Sequence, residues 1–158
     1  MNTAIFYDSE TTGLPAFSEP SEHPSQPHIV QLAAVLADLD TRQTIASMDV
    51  IIRPDGWAIP EEVSAIHGIT TEHAMDVGIP ETMAVDMFMS LWAGRLRIAH
   101  NESFDARIIR IAQHRFSDTF PEPQCDYWKN GVSACTAKLA TPILNLPPTE
   151  KMIAAGRK

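Results

Sequence analysis

Cys125 and Cys135 are the only cysteines in this 158-residue chain. They form no C-x-x-C and no metal-ligand spacing, which argues against a disulfide framework and against zinc. They read as free thiols. No apolar run approaches the roughly 20 residues of a spanning helix, so a membrane is not an expected partner. An export signal needs a basic start and a long apolar core, and Asp8 and Glu10 interrupt the first apolar run at once. The expected location is the cytoplasm. Positive charge is scarce too, with 12 Lys and Arg against 20 Asp and Glu and a net charge of −8. That argues against binding of nucleic acid by bulk positive charge. It leaves open an enzyme that meets phosphates through bound metal ions, which invert the field of an acidic site. No low-complexity tract appears, so disorder is not the default.

What is present suits one folded domain, since 44% of residues are hydrophobic. Thr3–Tyr7 is a short apolar run with the character of a buried strand. Four prolines between Pro15 and Pro27 mark a loop. His28–Asp38 reads as a second strand, with helix as a competitor because Ala favours it. After a turn at Asp38–Thr41, Met48–Arg53 reads as a third strand, ended by Pro54-Asp55-Gly56. Short links between the three predict an antiparallel meander.

Helices are expected next. Pro60 suits the first turn of a helix to about His67, with Gly68 at its end. Thr70 or Thr71 can cap another. Pro80 opens a longer helix on which Met83, Met87 and Leu91 share a face, beside Ala84, Phe88 and Trp92. The Met stripe reads as core. Arg95–His100 is a fourth strand, and Ser103–Phe116 has helical spacing. Asp118–Asn130, with two prolines, reads as mostly loop. A strand near Val132–Cys135 and a helix capped by Thr136 complete an α/β domain with a mixed sheet. Arg95, Arg97, Arg107, Arg110 and Arg115, and again Lys151, Arg157 and Lys158, read mostly as solvated faces.

The chemistry gathers at two places. In Ile5-Phe6-Tyr7-Asp8-Ser9-Glu10-Thr11-Thr12-Gly13-Leu14, two carboxylates stand two residues apart at a strand end. Alternate strand residues share a face, so Asp8 and Glu10 converge. Converged carboxylates repel unless a cation sits between them, and Mg²⁺ is a natural partner. As an isolated pair they read as a polar strand end with two solvated acids. The second place is His100-Asn101-Glu102-Ser103-Phe104-Asp105, where the fourth strand passes into a helix, the usual site position in open α/β sheets. Alone, Asp105 reads as an acid complementing a helix dipole.

Together, Y-D-S-E-T-T-G-L and the later A-H-N-E-S-F-D resemble the DEDD superfamily of 3′→5′ exonucleases, of the DEDDh-like, proofreading-subunit type. Ile66-His67-Gly68-Ile69-Thr70 is similar to the family's I-H-G-I-T segment, and Pro148-Thr149-Glu150-Lys151-Met152 to a stretch some members carry. The resemblance implies a ribonuclease H-like fold: an antiparallel three-strand meander plus parallel strands, flanked by helices. It implies two-metal phosphodiester hydrolysis with Mg²⁺ or Mn²⁺. Asp8, Glu10 and Asp105 would be the catalytic metal ligands. Thr11, Thr12, Gly13, Leu14, His67, Asn101 and Phe104 would contact the substrate, with Thr11 and Thr12 offering backbone N–H groups and hydroxyls and Leu14 pressing on the last base. The implied partner is the 3′ end of a single-stranded nucleic acid, DNA ahead of RNA, with a polymerase or other protein as a further partner.

The family's third motif is H-x-A-x-x-D or Y-x-x-x-D, which supplies a fourth carboxylate and a base. Residues 1–158 hold neither after Pro148. His100 and Asp105 have the spacing, but Asp105 already belongs to the second motif. The expectation is a single exonuclease-like domain over residues 1–158, incomplete at its C-terminus, lacking one helix and impaired in catalysis. The alternative is a non-catalytic module that binds a nucleic-acid end or a partner protein.

Overall fold

The computed structural model describes residues 2–145 and 147–154. Its five-stranded sheet has the order β3-β2-β1-β4-β5. β1 (Thr3–Thr11), β2 (Ile29–Asp38) and β3 (Thr44–Ile51) form the antiparallel meander. β4 (Leu96–Ala99) runs parallel to β1, and β5 (Ser133–Cys135) parallel to β4. The helices are α1 (Glu61–His67), α2 (Thr71–Val77), α3 (Glu81–Trp92), α4 (Glu102–Arg115), α5 (Glu122–Lys129), α6 (Thr136–Leu144) and α7 (Glu150–Ala154).

The core lies between one sheet face and α3, α4 and α5. Tyr7 of β1 meets Phe88 of α3 at 5.1 Å and Trp128 of α5 at 5.9 Å between ring centroids. Trp92 packs edge-on to Trp128 at 4.9 Å. Ile5, Leu32, Ala34, Ile108 and Ile111 fill the space around these rings. Edge-to-face rings suit the aromatic quadrupole. On the other face, Phe6 is paired in register with Val35, and both are more than a third exposed.

Turn and cap chemistry placed several boundaries well. α1 follows Pro60 and ends at Gly68 in the left-handed region, φ 80°. Thr70 caps α2 by accepting the His73 N–H. Four expectations need correction. β3 begins at Thr44 rather than Met48, because its first residues find partners on β2. The Pro-containing stretch after Asp118 holds α5, since Pro121 precedes the helix and Pro123 lies in its first turn, where a missing N–H removes no bond. Burial of Cys125 and Trp128 anchors that helix. Cys125 and Cys135 are both free thiols.

On α3 the buried face is Ala84, Val85, Phe88, Met89 and Trp92, while Met83 and Met87 are exposed. The Met stripe is therefore rotated out of the core. Finally, the arginines are not mainly solvated. Arg97 is buried, Arg95 donates to the carbonyls of Leu91 and Trp92, and Arg115 pairs with Glu81 at 3.0 Å. Arg157 and Lys158 lie outside the described residues.

Candidate active site

Asp8 and Glu10 lie on the same side of β1, Asp8 exposed and Glu10 half-buried. Ser9 between them is buried and turned toward α4. The register with β2 shifts between Glu10 and Thr11, a bulge that re-aims the chain as it leaves the sheet. Asp105, in the first turn of α4, is 2% exposed. Its Oδ1 accepts the Ser9 N–H at 3.0 Å and the Ser9 hydroxyl at 2.7 Å. Burial pushes the Asp105 carboxyl up to about 6, and the negative charge of Asp8 adds to the shift, against the pull of the Ser9 bonds. β1 therefore presents two carboxylates on one side and grips a third on the other.

A second layer sets the start of α4. Asn101 takes the left-handed conformation (φ 61°, ψ 46°) that Asn tolerates, and the chain turns there from β4 into the helix. Arg97 on β4 pairs with Glu102 at 2.7 Å, and both are buried. The Tyr7 hydroxyl donates to the same Glu102 oxygen at 3.2 Å. Burial, with the charge of Glu102, raises the Tyr7 phenol far above its ordinary range, so it stays a donor. The Arg97 guanidinium lies 4.0 Å from the centroid of the Trp128 ring and donates to the Trp128 carbonyl. The sequence reading gives Ser9 and Glu102 no role and takes Arg97 as solvated. The available signal was an arginine inside the apolar run Leu96-Arg97-Ile98-Ala99, which a buried strand carries only with a partner.

Beside Glu10 opens a largely apolar cavity of about 410 Å³, bordered by Gly13, Leu14, Ile66, His67 and Phe104. With Thr11 also on its wall, it brings together five of the expected substrate residues. Leu14 and Ile66 are 77% and 81% exposed, high for aliphatic side chains. A Cβ at Gly13 would meet nothing within 4 Å, so the approach is open. Nδ1 of His67 accepts the Ile69 N–H at 3.1 Å, which puts the ring proton on Nε2. That Nε2 is buried and has no partner.

The threonines are more committed. The Thr11 hydroxyl donates to the Gly13 carbonyl, and the Thr12 N–H donates to His28 O. Thr12 Oγ1 accepts the His28 N–H and keeps its own proton to give. Asn101 borders a different cavity, which also touches Phe104.

Among the described residues, no three His, Cys, Asp or Glu side chains are grouped closely enough to hold an ion. The donor chemistry nonetheless fits a hard divalent cation, because the candidate ligands are all carboxylate oxygens. Burial and the negative charge of Asp8 both disfavour an ionised Asp105, and a bound cation would offset that charge.

The exonuclease family model RNase_T matches residues 5–147. The chain belongs to this exonuclease family. A Mycobacterium tuberculosis (strain CDC 1551 / Oshkosh) protein, MT2247, described as a bifunctional exonuclease/endonuclease, is 28% identical over 158 residues. That match covers 98% of this chain and 22% of the relative. E. coli exonuclease I in complex with a dT13 oligonucleotide superposes with a TM-score of 0.71 at 20% identity, over 95% of this chain and 31% of that one. A product-bound exonuclease I structure gives 0.70 at 20% identity, over 99% and 39%. The chain thus spans under a quarter of the curated relative and about a third of the solved chains. The superposition establishes the ribonuclease H-like exonuclease fold, a mixed sheet flanked by helices. Divalent-metal dependence is general in the superfamily. Among the described residues, no helix is long and apolar enough to cross a membrane.

Proposed function

We propose that residues 1–158 form one nuclease domain of a cytoplasmic, metal-dependent 3′→5′ exonuclease acting on single-stranded nucleic acid, DNA in preference to RNA. The observation that carries this reading is the end of β1. There two carboxylates on one side, a buried third hydrogen-bonded by Ser9, and an apolar cavity with a spare imidazole N–H adjoin. Asp8, Glu10 and Asp105 would hold Mg²⁺ or Mn²⁺. Two such ions, when bound, stabilise both the attacking and the leaving oxygen of phosphodiester hydrolysis.

The chain's own residues position the strand. Leu14, Ile66 and Phe104 offer apolar surface to the terminal base, which tolerates any sequence and favours single strands. His67 Nε2–H and the Thr12 hydroxyl are donors for oxygens of the terminal nucleotide. Exonuclease I has been solved with dT13 and dA16 oligonucleotides and as an ExoI/SSB-Ct complex, which supports a single DNA strand and a protein as partners of this chain too.

A 5′-labelled single strand incubated with Mn²⁺ tests the reading. The expected result is a ladder of 3′-shortened products, lost in Asp8→Asn and in Glu10→Gln. One observation favours a second reading, a non-catalytic end-binding module: no three ligands are gathered into an ion cage among the described residues. Tight strand binding with no ladder at saturating Mn²⁺ would favour that module.

A further inference from the structure

On the far side of Phe104 lies a larger cavity of about 510 Å³, bordered by Phe17, Arg107, Arg110 and Lys129. Its charge is not balanced. Among the described residues, Glu102 is the only acid on its wall, and it is already paired with Arg97 at 2.7 Å. Among the described residues, Arg107, Arg110 and Lys129 have no carboxylate partner. Arg107 spends one nitrogen on the carbonyls of Ala16 and Glu19, at 3.2 and 2.8 Å, while its buried Nε has no acceptor at all. Arg110 donates Nε to Ser21. Burial and the like charge of Arg107 both disfavour the charged form of Arg110. Two guanidiniums held side by side without an anion are costly unless an anion visits.

We propose that Arg107, Arg110 and Lys129 form a phosphate subsite for the single strand behind its reacting 3′ end, an inference that rests on the exonuclease reading. The fork of a guanidinium matches phosphate oxygens two at a time. The location favours a nucleic-acid strand over an acidic peptide. Phe104 borders both this cavity and the apolar one beside Glu10, so a chain of nucleotides can run from one to the other. Phe17, 67% exposed and 5.5 Å below the Arg107 guanidinium, offers a base a face to stack on. A chain with net charge −8 needs such local cations to hold a polyanion.

The test is equilibrium binding of a short fluorescent oligothymidylate in EDTA, where no hydrolysis occurs, across a series of salt concentrations. The plot of log affinity against log salt should lose ~0.7 of slope for each phosphate contact removed. Arg110→Gln and Lys129→Gln, both at partly or fully exposed positions, should each show this loss, and Arg110→Lys should restore most of it. An unchanged thermal midpoint shows that the variants fold. Wild-type binding with an unmoved slope in both Gln variants would overturn the subsite and leave the exonuclease reading standing. No strand binding by the wild type would overturn the subsite, and the Mn²⁺ ladder then decides the exonuclease reading separately. Capture of an acidic peptide that requires Arg110 and Lys129, with strand binding untouched, would also overturn the proposal.

Discussion

At Asp105, burial and the charge of Asp8 push the carboxyl up to about 6, while two bonds from Ser9 hold it down. In the unfolded chain the same group titrates near 4, as roughly expected for Asp. Between those values the folded state binds the extra proton, so stability falls as pH rises through about 4 to 6. In chelator, the metal-free chain should therefore lose about 2–3 kcal/mol over that window from this group. Asp105→Asn keeps an oxygen for Ser9 and has no charge to bury. Denaturant titrations at a series of pH values should show the variant gaining on the wild type as pH rises, and parallel curves would refute the assignment. Ser9→Ala removes the 2.7 Å bond. It should move the Asp105 midpoint higher still, readable from carboxyl ¹³C shifts.

Among the elements, α4 depends on a buried ion pair at its first turn. Breaking such a pair from one side costs about 3–5 kcal/mol, because a charge is left alone in the core. Arg97→Met should therefore destabilise the fold by that order, and Arg97→Met with Glu102→Leu should recover part of it. A double-mutant cycle by chemical denaturation measures the recovery. α2 is seated differently. A Cβ on Gly78 would lie 2.4 Å from Ala74 O and 2.5 Å from the Arg53 N, both backbone atoms. Gly78→Ala should cost about 1–3 kcal/mol in the same assay, as overpacking does. The caps of α1 and α2 were legible because Pro60, Gly68 and Thr70 act on their own neighbours. α5 was not, because two prolines mask a helix whose reason for forming is Trp128 in the distant core.

Across the whole molecule, one sheet face is packed and the other carries Asp8, Phe6 and Val35 in the open, with Glu10 half-buried beside them. Exposed aromatic and β-branched pairs in register form a surface that binds apolar probes. Residues 1–158 should enhance the fluorescence of a hydrophobic dye, and Phe6→Thr with Val35→Thr should reduce that signal without unfolding the protein. Alternation along β1 determined that Asp8 and Glu10 share a side, and short links determined the meander, because a strand's period and a turn's chemistry are properties of adjacent residues. Only the tertiary structure decided that Ser9 grips Asp105, that Arg97 and Glu102 seat α4, and that Leu14, His67 and Phe104 meet at one cavity. Desolvation and pairing depend on which distant segments exclude water together, and no local pattern records that.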